Sequence, residues 1–257
     1  MRSTLLYDTR SLVGRYFTKL VRNPTLLATN LGTPILFLVL FSQLLQKFSL
    51  FLPGASGGYL AYITPGVVLM NALFIAPLGG VSMVNDLNSG FLSKMLMTQA
   101  SRSAILLGRL LTDASVAIAQ AFLTLLVGVV MGVQIASGIP GVRLMLVTVA
   151  FFELALSGIF LAIGMKSRKT ETISGIGGVV FFPLIFISSS MFPTSFFPSW
   201  AQTISSYNPV SFASDVVRGL VQGQLSAGTI VTAYVYIGMI ALATFAATLY
   251  QFRKVIS

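Results

Sequence analysis

Very few side chains in this sequence could carry out chemistry. Its 257 residues include no cysteine and no histidine, which removes disulfides, thiolate nucleophiles, Cys/His metal sites and histidine proton relays. Six residues are acidic, too scattered to propose a carboxylate metal cluster. Asp113 follows Arg109 at the i,i+4 spacing of a helical ion pair. Glu153 stands mid-way along an apolar stretch, where a carboxylate is costly and must face the bundle interior or water. Its functional reading is a polar group on a substrate path or a proton relay. Its structural reading is an inter-helix hydrogen bond, for instance to Gln120 or Asp113. The nearest imitation of a nucleotide-binding loop is GIFLAIGMKS, Gly158–Ser167. Its glycine spacing is one residue too long, and no lysine directly follows the second glycine. The chain is therefore expected not to bind or hydrolyse ATP itself.

The elements that position these groups are apolar. The chain is 55% hydrophobic and 9% charged, with a mean hydropathy of +0.90, whereas soluble domains carry about 25% charged residues. Six stretches are long enough to span a bilayer, at 26–45, 60–84, 104–133, 144–165, 172–191 and 229–250. The expected fold is thus an all-α membrane protein with six transmembrane helices. Of sixteen basic residues, thirteen fall at the two ends and in the connections after the second and fourth stretches; Lys47, Arg143 and Arg218 are the exceptions. The positive-inside rule then places both termini in the cytoplasm, in the cell (plasma or inner) membrane. The net charge of +10 is read as contact with anionic membrane lipids, not nucleic acid.

Three further segments have a character of their own. Residues 3–23 read as an amphipathic helix lying in the membrane interface. Between the second and third stretches, Phe91, Leu92, Met95 and Leu96 make an apolar face beside Lys94, with Gly90 breaking the chain ahead of them. Such a helix, over 90–98, either docks in a partner's groove or packs on the protein's own spans. Before the last stretch, FPTSFFPSWAQTISSYNPVSF holds three prolines and the single tryptophan. Ser199 reads as an N-cap of one short helix over Ser199–Ser206, and Val210–Val221 as a second. The segment 193–221 is either a re-entrant helical hairpin or an exposed loop anchored by Trp200 and Tyr207. In the fifth stretch, Ser174, Gly175, Gly177 and Gly178 offer a small-residue packing face, within the bundle or across a homodimer.

Two local patterns resemble a known family. One is DLNSGFLSKML at Asp86–Leu96 followed by SRSAILLGR at Ser101–Arg109. The other runs through Phe192, Pro193, Phe197, Pro198, Trp200, Asn208, Pro209, Ser211, Phe212 and Arg218. Together with the order of elements, they resemble the membrane subunit of ABC-2 type exporters, close to the daunorubicin-resistance kind of multidrug permease. The resemblance implies that Gly90, Phe91, Leu92, Lys94, Met95 and Leu96 belong to a coupling helix seated in a cleft of a separate ABC ATPase subunit. Two ATPase copies would bind ATP and magnesium, with no cofactor in this chain. It implies a second copy of the chain, or a related permease, across an interface made by the first and fifth spans. Pro193, Pro198, Trp200, Asn208, Pro209 and Arg218 would cap the pathway outside. This chain carries Gln99 where relatives often carry proline. The cargo expected is hydrophobic or amphipathic: a drug, a lipid or a lipid-linked glycan. Phe37, Phe41, Phe181 and Phe182, with Glu153, are the candidate pathway residues. The alternative is a proton-coupled secondary transporter using Glu153 or Asp113. No inverted repeat or matched pair of broken spans supports it.

Overall fold

The structure is a computed structural model that describes residues 14, 18, 22, 24–51, 58–97 and 102–256. The interfacial helix expected over 3–23 lies outside the described residues, apart from three isolated positions. Among the described residues there is no strand. The helices are α1 (Pro24–Leu44), α2 (Gly58–Asn88), α3 (Phe91–Leu96), α4 (Arg102–Val130), α5 (Gly138–Ser167), α6 (Thr170–Phe186), α7 (Ser199–Ser206), α8 (Pro209–Gln222) and α9 (Ala227–Ile256). Short 3-10 turns at Gln46–Phe51 and Thr194–Phe196 join some of them. By length and apolarity, α2, α5 and the segments Ile105–Val130 and Ala227–Phe252 can each cross a membrane. Gly32–Leu44 and Thr170–Phe186 are apolar but shorter. With four such helices among the described residues, the chain is a multi-pass membrane protein.

Helix α2 is the central post. It packs against α1, α4, α5, α6 and α8, while α5 joins it to α4 and α9. In its most apolar window 72% of α2 is buried, against 11% for α9, so α9 lies at the edge of the bundle, against α5 and α8. In lipid no hydrophobic force drives helices together, so close backbone approach and polar contacts must do so. Glycines supply the approach: a Cβ on Gly80 would stand 2.8 Å from the Phe160 carbonyl oxygen, and one on Gly164 3.1 Å from that of Gly80. Hydroxyls supply the contacts. Thr248 of α9 donates to the Gly158 carbonyl at 2.8 Å, and Thr244 to that of Ala155 at 3.2 Å.

Several ends differ from the sequence-based expectation. The third stretch leaves the helix at Val130, through a turn at Gly132 with φ of 111°. The fifth, expected to run to Met191, stops at Phe186. Pro183 lacks an N–H one turn earlier, and the hydroxyls of Ser188 and Ser190 both donate to the Ile185 carbonyl. These side chains compete with the backbone for a helical acceptor. Ser199 is the first helical residue and not the N-cap. The carbonyl of Pro198 receives the amides of Ala201 and Gln202 at 2.9 and 3.0 Å, which puts Pro198 at the cap. The second short helix, expected over Val210–Val221, begins one residue earlier at Pro209, whose missing N–H costs nothing in the first turn.

Candidate functional site

Three places in the molecule gather the residues singled out by their types. The first is an apolar cleft between α1, α2 and α6, about 350 Å³ in volume. Phe37, Phe181 and Phe182 line it together with Phe74 and Pro77. Phe37 stacks on Phe41 one turn later at 5.2 Å, and Phe74 on Phe181 at 4.7 Å. Gly177 seats α6 against α2, since a Cβ there would meet Pro77 at 3.1 Å. Gly175 and Gly178 have nothing within 4 Å of such a Cβ. They lie on the outward side of α6 with Val179 and Phe182, matched by Leu36 and Leu40 on α1, all four exposed. Phe74 had escaped the sequence reading: it sits in a long apolar run whose periodicity marks no single face.

The second place is a buried polar cluster joining α2, α4 and α5. Arg109 pairs with Asp113 at 2.9 Å, and its Nη1 donates to Ser82 of α2 at 2.8 Å. Asp113 lies on Gly79, where any Cβ would collide with its carboxylate. Glu153 is fully buried and accepts from Ser157, on its own helix, at 2.6 Å. Of the cross-helix partners that its structural reading offered, neither Gln120 nor Asp113 bonds it directly; Ser157, one turn away on the same helix, reaches one carboxylate oxygen, and the other has no partner. Glu153 does not line the cleft that Phe37, Phe181 and Phe182 share.

The third place comprises the two ends of α2. Tyr59 and Tyr62, at its N-terminal end, donate to the carbonyls of Met191 and Ser189, both at 3.0 Å. The proline-aromatic hairpin is thereby fixed to that end. Tyr62 to Asn88 is about 40 Å at 1.5 Å per residue, so α3 lies at the opposite end. Within the hairpin, Asn208 is the joint. Its amide donates to the Leu184 and Ile187 carbonyls, both at 2.8 Å, and its Oδ1 accepts from the Val210 amide at 3.0 Å. One side chain thus caps α8 and ties down the otherwise unpartnered carbonyls at the end of α6. Arg218 reaches the Ser189 and Ser190 carbonyls, Ser214 and Asp215, and lies 4.1 Å from the Tyr62 ring centre. Trp200, on α7, is 60% exposed. Pro193 and Pro198 flank the short turn ahead of α7.

At the α3 end, Gly90 takes a left-handed φ of 68°, which favours glycine. Lys94 and Met97 are exposed. Leu92 does not belong to an outward docking face: it is 2% exposed and packs with Met83, Leu106 and Leu161. Leu92 precedes Lys94 by two residues, so the two point to different sides of the helix. Phe91 is half-buried. The side chains of Met95 and Leu96, and the end expected at Thr98, lie outside the described residues.

Residues 7–222 match the protein family described as ABC-2 type transporter. Among the relatives, the ycf38 transport permease of Cyanophora paradoxa is 29% identical over 213 residues, covering 81% of this chain and 72% of its own length. The daunorubicin resistance ABC transporter permease protein DrrB1 of Streptomyces coeruleorubidus is 27% identical over 190 residues, 74% of this chain and 66% of that one. A doxorubicin resistance ABC transporter permease protein, DrrC, of Mycobacterium tuberculosis is 22% identical over 211 residues, 81% and 75% of the two chains.

Proposed function

Since the chain belongs to the ABC-2 type transporter family and is a multi-pass permease homologous to drug-resistance permeases, we propose that it is the membrane half of an ATP-driven exporter. In this reading α1, α2, α4, α5, α6 and α9 are six crossings, with both termini in the cytoplasm of a plasma or inner membrane. α3 is the coupling helix, and the hairpin of α7 and α8 lies outside. Two copies of the chain, or one copy and a related permease, meet through α1 and α6. Two ABC ATPase subunits, which bind ATP and magnesium, dock against α3. The observation that carries the reading is the apolar cleft flanked by exposed faces of α1 and α6. A surface of phenylalanines, leucines and glycines suits a hydrophobic or amphipathic cargo and a second apolar helix face. Closure of the ATPase pair would push α3 and change access from inside to outside. For this to work ATP must bind the closed state more tightly than the open one.

The proton-coupled alternative is not favoured. Asp113 is held by Arg109, one oxygen of Glu153 by Ser157, and neither residue lines the cleft. The experiment that tests the exporter reading is co-purification with the ATPase encoded beside this chain, followed by ATP hydrolysis measured in lipid. Lys94→Glu with Met97→Asp alters exposed residues only, so the permease should remain folded while stimulated hydrolysis falls at least about tenfold. Unchanged association and unchanged stimulation would remove α3 from the role of coupling helix. Cargo transport without any ATPase would end the exporter reading.

A further inference from the structure

The hairpin contains a cavity that neither coupling nor the apolar cleft uses. It measures about 500 Å³, within the roughly 300–1,000 Å³ range of small-ligand sites. Tyr62, Ser189 and Arg218 line it from the more buried side, and Asp215, Ser195, Gln202 and Ser206 are exposed members of its wall. These residues come from α2, from the serine turn after α6, from the 3-10 turn Thr194–Phe196, and from α7 and α8. The site is assembled only when all five meet.

Its chemistry is specific. The charges cancel: Arg218 Nη1 lies 3.1 Å from Asp215 Oδ1. The Nη atoms are committed elsewhere as well, to two backbone carbonyls and Ser214, and the guanidinium lies over the Tyr62 ring; Nε has no partner but is itself buried, so little of the group is open to a phosphate or carboxylate. Asp215 Oδ1 accepts from Ser189 and Arg218. The Asp215 side chain is nevertheless 48% exposed, so its carboxylate can still accept from a ligand. Hydroxyls and an amide fill most of the remaining wall: the Gln202 amide donates to the Phe197 carbonyl and the Ser206 hydroxyl to that of Thr203, which leaves their oxygens to accept, while the Thr194 and Ser195 hydroxyls supply donors. Phe212, also in the lining, sits 4.4 Å from Tyr236 and adds an aromatic surface. A neutral site of paired donors and acceptors beside an aromatic ring matches neither an anion nor an apolar drug. We propose that this cavity binds a neutral polyhydroxylated group, a sugar ring or a polyol, through Asp215, Gln202 and the surrounding serines. The exporter reading decides only that the site faces outward; binding itself does not depend on it.

The same hydroxyl chemistry could come from a free glycoside or from a glycolipid headgroup, and one assay separates them. Trp200 is the only tryptophan and shares with Gln202 and Ser206 a helix of eight residues, about 12 Å long. A nitrophenyl glucoside bound in the cavity therefore quenches Trp200 by energy transfer. The purified chain in nanodiscs, open on both faces, should show saturable quenching that excess methyl glucoside reverses. Nitrophenol alone should not saturate. Asp215→Asn should weaken binding about tenfold, the loss expected for a charge-assisted hydrogen bond. Gln202→Leu, at an exposed position, keeps the proposal testable if the first variant folds poorly. A glycolipid in the disc that competes with the probe identifies a headgroup as the ligand. Competition by soluble glucoside alone identifies a free sugar. Quenching that does not saturate, or that is equal in wild type and both variants, overturns the proposal, whatever the fate of the ATPase test.

Discussion

Removing one amide side chain should loosen two helices. Asn208 makes three hydrogen bonds, two from its amide to the Leu184 and Ile187 carbonyls and one to its carbonyl from the Val210 amide. Asn208→Ala removes an N-cap, worth about 1 kcal/mol, and two further bonds of about 1 kcal/mol each. Asn208 is 5% exposed, so water does not readily replace what is lost. The sum is about 3 kcal/mol. For a chain of this size, each kcal/mol moves the melting midpoint by about 2–4 °C, so the expected fall is about 6–12 °C. Asn208→Asp separates the terms. It keeps the cap but replaces the amide donor with an acceptor facing two carbonyl oxygens, so it should be at least as damaging as alanine. Thermal unfolding of the purified chain in nanodiscs measures both. If Asn208→Ala melts within 1 °C of wild type, or Asn208→Asp is clearly the milder change, the account of Asn208 as the joint between α6 and α8 is wrong.

Three other predictions follow from helix packing. Gly79→Ala should destabilise the fold, because its Cβ would collide with the Asp113 carboxylate. Gly178→Leu, with open space around it, should leave the melting of the monomer within about 1 °C but weaken self-association across α6, read by cross-linking or mass photometry. Breaking the buried Arg109–Asp113 pair with Arg109→Leu should cost about 3–5 kcal/mol, by stranding a carboxylate. Adding Asp113→Leu should restore part of that stability. A double variant no better than the single one would contradict the pairing.

Local features were legible in the residue order. Long charge-free runs marked apolar helices, because a helix rising 1.5 Å per residue needs about 20 such residues to cross a bilayer. The Arg109–Asp113 pair was legible for the same reason: four residues bring two side chains to one face of a helix whatever surrounds it. Ser157 stands at that spacing from Glu153, so the bond the structure makes there was also open to reading, although the structural reading offered cross-helix partners. The glycines of α6 were recognisable as a packing face, yet only the fold separated Gly177, against Pro77, from Gly175 and Gly178, which face outward.

What tertiary structure alone decided is whatever depends on chain segments far apart in sequence. Asn208 and Leu184 are 24 residues apart, Arg218 and Ser189 are 29, and Tyr59 reaches Met191 across 132. No periodicity encodes such pairings. They arise because the serine turn settles against Gly66, where a Cβ would stand 2.7 Å from the Ser190 carbonyl oxygen, and because unpartnered helix-end carbonyls in an apolar setting must find donors. Tertiary packing likewise buried Leu92 against Met83, Leu106 and Leu161. The sequence by itself determined a helical membrane protein with a short helix and a proline-aromatic segment between its spans. The three-dimensional fold determined that these two stand at opposite ends of α2, and that the polar groups of the hairpin close around a cavity.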